Sequence, residues 1–167
     1  MKFLKHDQDY EVLSAAWGRY RGYMDSMRGQ IPKSAYEFAM ADWHYNPKDH
    51  RALHDSWLDK LAVTEKPAGR LPGSRVIAIS LELLGPYHDG KTILSYQGVQ
   101  TYSVDFLSFE GGNSRLGGHG DWLIDEIILG EFPGTFLHEI QFSSGVRWRI
   151  TCESLDHWTD IPAILEP

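Results

Sequence analysis

Cysteine is nearly missing from this chain. Cys152 stands alone among 167 residues, so no internal disulfide can form and a reducing compartment is expected. Basic charge is short as well: 16 lysines and arginines face 23 aspartates and glutamates, a formal net charge of -7. A chain this poor in cations is badly equipped to displace counterions from a phosphate backbone, which argues against nucleic acid as a partner. No apolar run nears the roughly 18 residues of a membrane-spanning helix. The opening Met1-Lys-Phe-Leu-Lys-His-Asp7 has no hydrophobic signal core, so no membrane partner is expected and the cytoplasm is the expected location. Familiar catalytic signatures are missing too. There is no His-Glu-x-x-His and no Gly-x-Ser-x-Gly, and the glycine-rich stretch from Gly111 to Gly118 lacks the Gly-Lys-Ser/Thr ending of a phosphate loop.

What is plentiful is aromatic side chain, 13% with six tryptophans, which suits a strand-rich core. The length is that of a single domain over 1–167. Its plan is visible in a repeat. His54-Asp-Ser-Trp-Leu-Asp-Lys-Leu-Ala-Val-Thr-Glu65 returns as His119-Gly-Asp-Trp-Leu-Ile-Asp-Glu-Ile-Ile-Leu-Gly-Glu131 with one residue inserted. Trp57 then meets Trp122, Asp59 meets Asp125, and Leu61 and Val63 meet Ile127 and Leu129. Further on, Leu94–Ser103 lies on Ile150–Thr159 by residue class.

Ahead of the repeat, residues 1–50 read as a helical arm. Tyr10, Leu13, Trp17, Tyr20, Met24 and Met27 form one apolar stripe over 7–28, stopped by Gly29 and Pro32. The small-residue row Ser14, Gly18, Gly22 and Ser26 suggests either a close neighbour or mere irregularity. Ser34-Ala-Tyr-Glu37 is a capping-box pattern opening a short helix over 35–43. Residues 57–65 and 75–84 alternate as strands. Gly85-Pro-Tyr-His-Asp-Gly90 is a hairpin turn, and 91–106 follows as one strand broken at Gly98, or two. The second copy, 119–160, runs strand, strand, Ser143-Ser-Gly145 turn, strand. The expected fold is therefore mainly β with an α+β character. It is an antiparallel β-sandwich or partly closed barrel made of two pseudo-twofold three-stranded meanders, 54–104 and 119–160, with the helical arm packed on it.

Eight histidines are present, most of them beside an acid. His44, His50 and His54 have the spacing of a metal-ligand group, so a divalent metal is the one cofactor to consider. His138 carries more information. If Leu83 matches Phe142, His138 stands where the first copy has Ile79, an ionisable group on an apolar face; a satisfied core histidine and a pocket residue both fit. Asp59 and Asp125, as matched inward carboxylates, would suit acid/base work, and with His119 and His88 they complete a candidate His/Asp pocket around His138. Cys152, mid-strand and inward, makes a poor nucleophile. Trp57, Trp122 and Trp148 are expected in the core, whereas Trp43 and Trp158 are the candidate surface aromatics for a sugar or base.

The segments Ala41-Asp-Trp-His-Tyr-Asn-Pro-Lys-Asp-His-Arg51, Leu84-Gly-Pro-Tyr-His-Asp-Gly90 and Gly118-His-Gly-Asp-Trp-Leu123 resemble those of small uncharacterised bacterial proteins. That resemblance spans most of the chain and implies no activity. In size, acidity and β-rich build the chain is also similar to cytoplasmic immunity proteins that neutralise toxins, which implies a protein partner. Three functions follow as expectations: a non-enzymatic interaction module for a protein partner of basic character, a ligand-binding or metal-dependent hydrolytic protein using the His/Asp pocket, and a carbohydrate-binding module.

Overall fold

Apolar periodicity near the N-terminus produces two helices, Tyr10–Ser26 (α1) and Lys33–Ala39 (α2). Among the described residues the alternating stretches produce eight strands: Trp57–Pro67 (β1), Arg75–Leu84 (β2), Lys91–Val99 (β3), Thr101–Val104 (β4), Trp122–Leu129 (β5), Phe136–Phe142 (β6), Arg147–Cys152 (β7) and Ser154–Asp160 (β8). The computed structural model describes residues 1–5, 10–69, 73–106 and 118–161; the glycine-rich stretch before Gly118 lies outside them.

The strands form two four-stranded antiparallel sheets, ordered β1-β2-β3-β8 and β4-β7-β6-β5. Each is a meander of one copy completed by the last strand of the other. The chain bends at Gln100 and Glu153, so 91–104 and 147–160 run as one bent antiparallel ribbon shared by both sheets. Strands that switch sheets at a bend are how packed sheets make a closed corner. A second junction is tied where the edges β1 and β5 begin. Trp57 bridges Asp121, and Asp55 N–H donates to Trp122 O at 2.8 Å.

The shared ribbon sets equivalent rows of inward side chains. Val63, Ile79, Tyr96 and Leu155 lie side by side across the first sheet. Ile127, His138, Ile150 and Tyr102 do so across the second. His138 does take the place of Ile79. In the next row, Leu61, Leu81, Leu94 and His157 correspond to Asp125, Ile140, Trp148 and Val104. This corrects the sequence alignment in two places. Asp125 answers Leu61, not Asp59, and Tyr96 answers Ile150, two positions from the residue-class match. Both copies carry the β-bulge at the same place, between Leu58 and Lys60 in β1 and between Trp122 and Ile124 in β5, so Leu58 answers Trp122 and Trp57 answers Asp121. Matching the two tryptophans displaces the copies by one residue, and the inserted residue makes it two, which is why Asp59 falls on Asp125 in the sequence repeat. Asp59 is the residue skipped in the β1 pairing, and its carboxylate turns outward to Lys91 Nζ at 2.6 Å.

Helix α1 protects the edge of β5. Ile127 N–H donates to the Tyr20 hydroxyl at 2.8 Å, that hydroxyl donates back to Ile127 O at 3.1 Å, and Leu129 N–H donates to the Tyr23 hydroxyl at 2.9 Å. These contacts occupy backbone groups that would otherwise template aggregation. The small-residue row faces open space: a Cβ on Gly18 or Gly22 would meet nothing within 4 Å. The capping box also fails. Pro32 is at the N-cap of α2 with no side-chain cap, and Ser34 Oγ instead accepts from Leu155 N–H at 3.3 Å. Ala35, Phe38 and Ala39 are buried, and α2 packs against both β8 and β5.

In the β2–β3 turn the left-handed residue is His88 (φ 57°), not Gly90. Gly90 is required for another reason: a Cβ there would sit 2.3 Å from Asp160 O and 2.9 Å from Ile161 Cα. Backbone on both counts cannot easily yield, so Gly90→Ala is expected to cost ~1–3 kcal/mol. A lowered urea midpoint with unchanged slope would show it.

Candidate functional site

The turn after α2 places three aromatic rings in succession. Trp43 stacks on His44 at 5.4 Å and 18°, and Tyr45 stacks on its other face at 4.0 Å and 4°. Asn46-Pro47 then ends the turn, since a residue before proline is driven out of helical geometry. The sandwiched His44 ring points into the space between the sheets. There β5 supplies Asp125 and β6 supplies His138, at positions where the first copy has Leu61 and Ile79.

Three donors meet at the Asp125 carboxylate. His44 Nε2 lies 3.1 and 3.0 Å from its two oxygens, His138 Nε2 lies 2.9 Å from Oδ2, and Trp122 Nε1 lies 3.0 Å from Oδ1. The far side of each imidazole is also satisfied. His44 Nδ1 is 2.9 Å from Phe38 O, and His138 Nδ1 is 2.9 Å from the Tyr96 hydroxyl. A carbonyl oxygen only accepts, so His44 Nδ1 carries a proton. With Asp125 ionised, Nε2 must donate as well, and His44 is an imidazolium held between two aromatic faces, a favourable place for a cation. His138 Nε2 donates to Asp125, and its Nδ1 shares a second hydrogen bond with the Tyr96 hydroxyl. Burial pushes the Tyr96 hydroxyl well above its ordinary range, which keeps it protonated. Relative exposures are 1% for His44, 2% for Asp125 and 0% for His138, so the group is sealed from solvent.

Burial alone would push the Asp125 carboxyl up. The charge of His44 and the hydrogen bonds from His138 and His44 outweigh it and hold the group well below the usual carboxylate range. A carboxyl that is lower in the folded than in the unfolded chain stabilises the fold above its unfolded value of about 3.9. That contribution is lost as pH falls through the folded value, because the unfolded state then binds more protons. Stability is therefore expected to drop below about pH 4. The drop is expected to be shallower in Asp125→Asn than in the wild type, as followed by urea midpoints between pH 3 and pH 6.

Of the pocket expected around His138, only Asp125 joins it. Asp59 is on the outer surface with Lys91. His88 is exposed in the β2–β3 turn with its ring 4.3 Å from Trp57. His119 packs among Phe106, Phe142 and Trp148, and burial pushes its ring down. The histidine trio is dispersed: His44 goes to Asp125, His50 Nδ1 to Asp89 at 2.5 Å, and His54 Nδ1 to Asp55 at 2.9 Å. Among the described residues no three His, Cys, Asp or Glu side chains come together as metal ligands. Trp43 is buried, contrary to expectation, because its ring lies against His44 and Phe38. Trp57 is exposed, its indole N–H donating to Asp121 at 2.7 Å. Trp158 is exposed as expected. The Cys152 thiol is buried and pushed up to about 12, by burial first and then by Glu153, which leaves it unreactive.

Sequence reasoning missed Tyr96 and Trp122 as partners of the group. Tyr96 carried no signal, because the residue-class match sets it against Cys152 and only the strand register sets it against Ile150. It also missed Glu126, whose buried carboxylate accepts from the backbone N–H groups of Lys2, Phe3 (2.9 Å) and Leu4 (2.8 Å). Beside the sealed group, an open cleft of about 500 Å³ runs between α1 and residues 39–47. Trp17, Met40 and Tyr45 line it with Arg21, Asp42 and Asn46. Tyr45 is the one side chain shared by cleft and buried group, through its ring on His44 and its hydroxyl to Asp125 O at 3.3 Å. Comparison with models of known families, with curated proteins and with solved structures finds no match to this chain.

Proposed function

We propose that this chain is a non-enzymatic protein-interaction module. One observation carries the reading. The single place among the described residues where ionisable side chains converge on a shared partner deep in the fold, His44, Asp125 and His138, is closed to solvent and has every side-chain nitrogen and oxygen engaged. A general acid or base must reach a substrate proton; these groups are taken up by one another and by Phe38, Tyr96 and Trp122. They serve to lock the turn after α2 onto the second sheet. No described helix is long and apolar enough to cross a membrane, and the net charge of -7 favours a basic partner by long-range attraction. A cytoplasmic role, with toxin neutralisation as its narrower form, is part of the same proposal.

The test exposes purified protein to a small-molecule extract of its host, followed by mass spectrometry, and in parallel to host proteins. The reading expects no metabolite consumed and a stoichiometric complex that can be rebuilt from purified components. Turnover of any metabolite that disappears in His138→Gln overturns it.

The cleft supports a second reading, capture of a small molecule, since its volume is in the range of ligand sites and apolar rings line it beside a few polar groups. A compound that raises the melting temperature of the wild type but not of Trp17→Ala would favour that reading.

A further inference from the structure

The turn between β2 and β3 holds the one Asp-Gly pair in the chain, Asp89-Gly90. In such a pair the glycine amide nitrogen can add to the aspartyl Cγ, and no side chain on the glycine blocks the approach. The Gly90 N–H donates no hydrogen bond to any described residue, which leaves its nitrogen open to react. Nor can the fold escape the pair by exchanging the glycine, because a Cβ at 90 would run into the backbone of Asp160 and Ile161.

One side chain stands against the reaction. His50 Nδ1 lies 2.5 Å from Asp89 Oδ2, and the His50 ring is stacked on Tyr87 at 3.8 Å and 12°. The Tyr87 hydroxyl donates to Pro47 O at 3.1 Å. Closing a five-membered ring onto the Gly90 nitrogen takes the Asp89 side chain out of a staggered rotamer, so its tie to His50 has to be given up first.

We infer that Asp89 is a site of spontaneous conversion to isoaspartate, and that His50 guards it. The chemistry needs no co-reactant but water. A bond forms from Gly90 N to Asp89 Cγ. One carboxyl oxygen leaves as water, carrying the amide proton and a proton from solvent, and a cyclic imide results. Water then opens the imide at either carbonyl, which restores aspartate or leaves isoaspartate with one more carbon in the main chain. That carbon falls inside a turn closed by Gly85 N–H on Gly90 O at 2.9 Å. Conversion therefore undoes the link between this turn and residues 47–50.

The experiment incubates the purified full chain at physiological temperature and pH. Isoaspartate at residue 89 is followed by peptide mapping with electron-transfer fragmentation, which separates the two isomers of equal mass. In His50→Ala it is expected to accumulate at 89 ahead of every other aspartate, and roughly fivefold faster than in the wild type, the factor a partly exposed ion pair can hold back. Tyr87→Phe cuts the bond to Pro47 O and leaves the His50 contact with Asp89, so it separates the guard from simple loosening of the loop; its rate should match the wild type. No isoaspartate at 89 in His50→Ala overturns the site. A rate in His50→Ala at or below that of the wild type, or one equalled by Tyr87→Phe, overturns the guard.

Discussion

Asp125→Ala is expected to lower the stability of the fold by ~3–5 kcal/mol, the cost of leaving buried charge without its counter-ion. The substitution strips the acceptor from three donors at once: both imidazoles and the Trp122 indole. His44 suffers most, because Phe38 O holds its other nitrogen and the ring cannot turn away. Water cannot replace the carboxylate cheaply in a site closed on all sides by Phe38, Trp43, Tyr45 and Trp122. For a domain of this length each kcal/mol shifts the melting temperature by about 2–4 °C, so a fall of about 10 °C is expected by calorimetry. Asp59→Ala, its apparent twin in the sequence repeat, should change stability by no more than about 0.5 kcal/mol, since it breaks only an exposed pair with Lys91. A comparable loss in both variants would contradict the assignment of Asp125 to the position of Leu61.

Glu126→Ala is expected to release the first residues of the chain from the outer face of the second sheet. Its carboxylate gathers three backbone N–H groups, of Lys2, Phe3 and Leu4, and hydrogen bonds to a charged acceptor contribute about 1.5–3 kcal/mol each before they couple. Leu4, fully buried, and Phe3, set against Tyr20 and Tyr23, depend on that anchor for their position. The strap also answers an electrostatic problem. Glu126 and Glu139 are cross-strand neighbours, a destabilising like-charge pair. It is relieved by the amides on one side and by the Met1 amine (2.8 Å) and Arg149 (3.2 Å) on the other. A loss of about 3 kcal/mol is expected, with hydrogen-exchange protection gone at the amides of residues 3 and 4 and kept in β6. Retained protection at those amides would contradict the anchoring role.

The strands were legible because their alternation is regular and because two hairpin turns recur, although Trp57 and Trp122, matched in the repeat, stand one residue out of register. His138 was legible as well, as a charged intruder where the other copy has Ile79. What the chain did not disclose follows from single-residue geometry. The bulge keeps its place in both copies but Trp57 and Trp122 stand on either side of it by one residue, so Asp59 and Asp125, aligned as twins, end on opposite faces. His44 looked like the partner of His50 and His54, since local spacing was all that could be read; its true partner lies 81 positions away. The exchange of β4 and β8 between sheets depends on bends at Gln100 and Glu153, which carry no strong turn signature. Glu126 gave no sign because its partners are backbone amides, which every residue possesses.

His44 and Asp125 act as a single fastener between the turn after α2 and the second sheet. A double-mutant cycle in urea, using His44→Leu, Asp125→Leu and the pair together, tests it most directly. If the claim holds, either single change costs about 3 kcal/mol, and the double costs little more than one of them. The coupling energy is then about 2 kcal/mol or more. Costs that add to within about 0.5 kcal/mol, as for residues that do not interact, would contradict it.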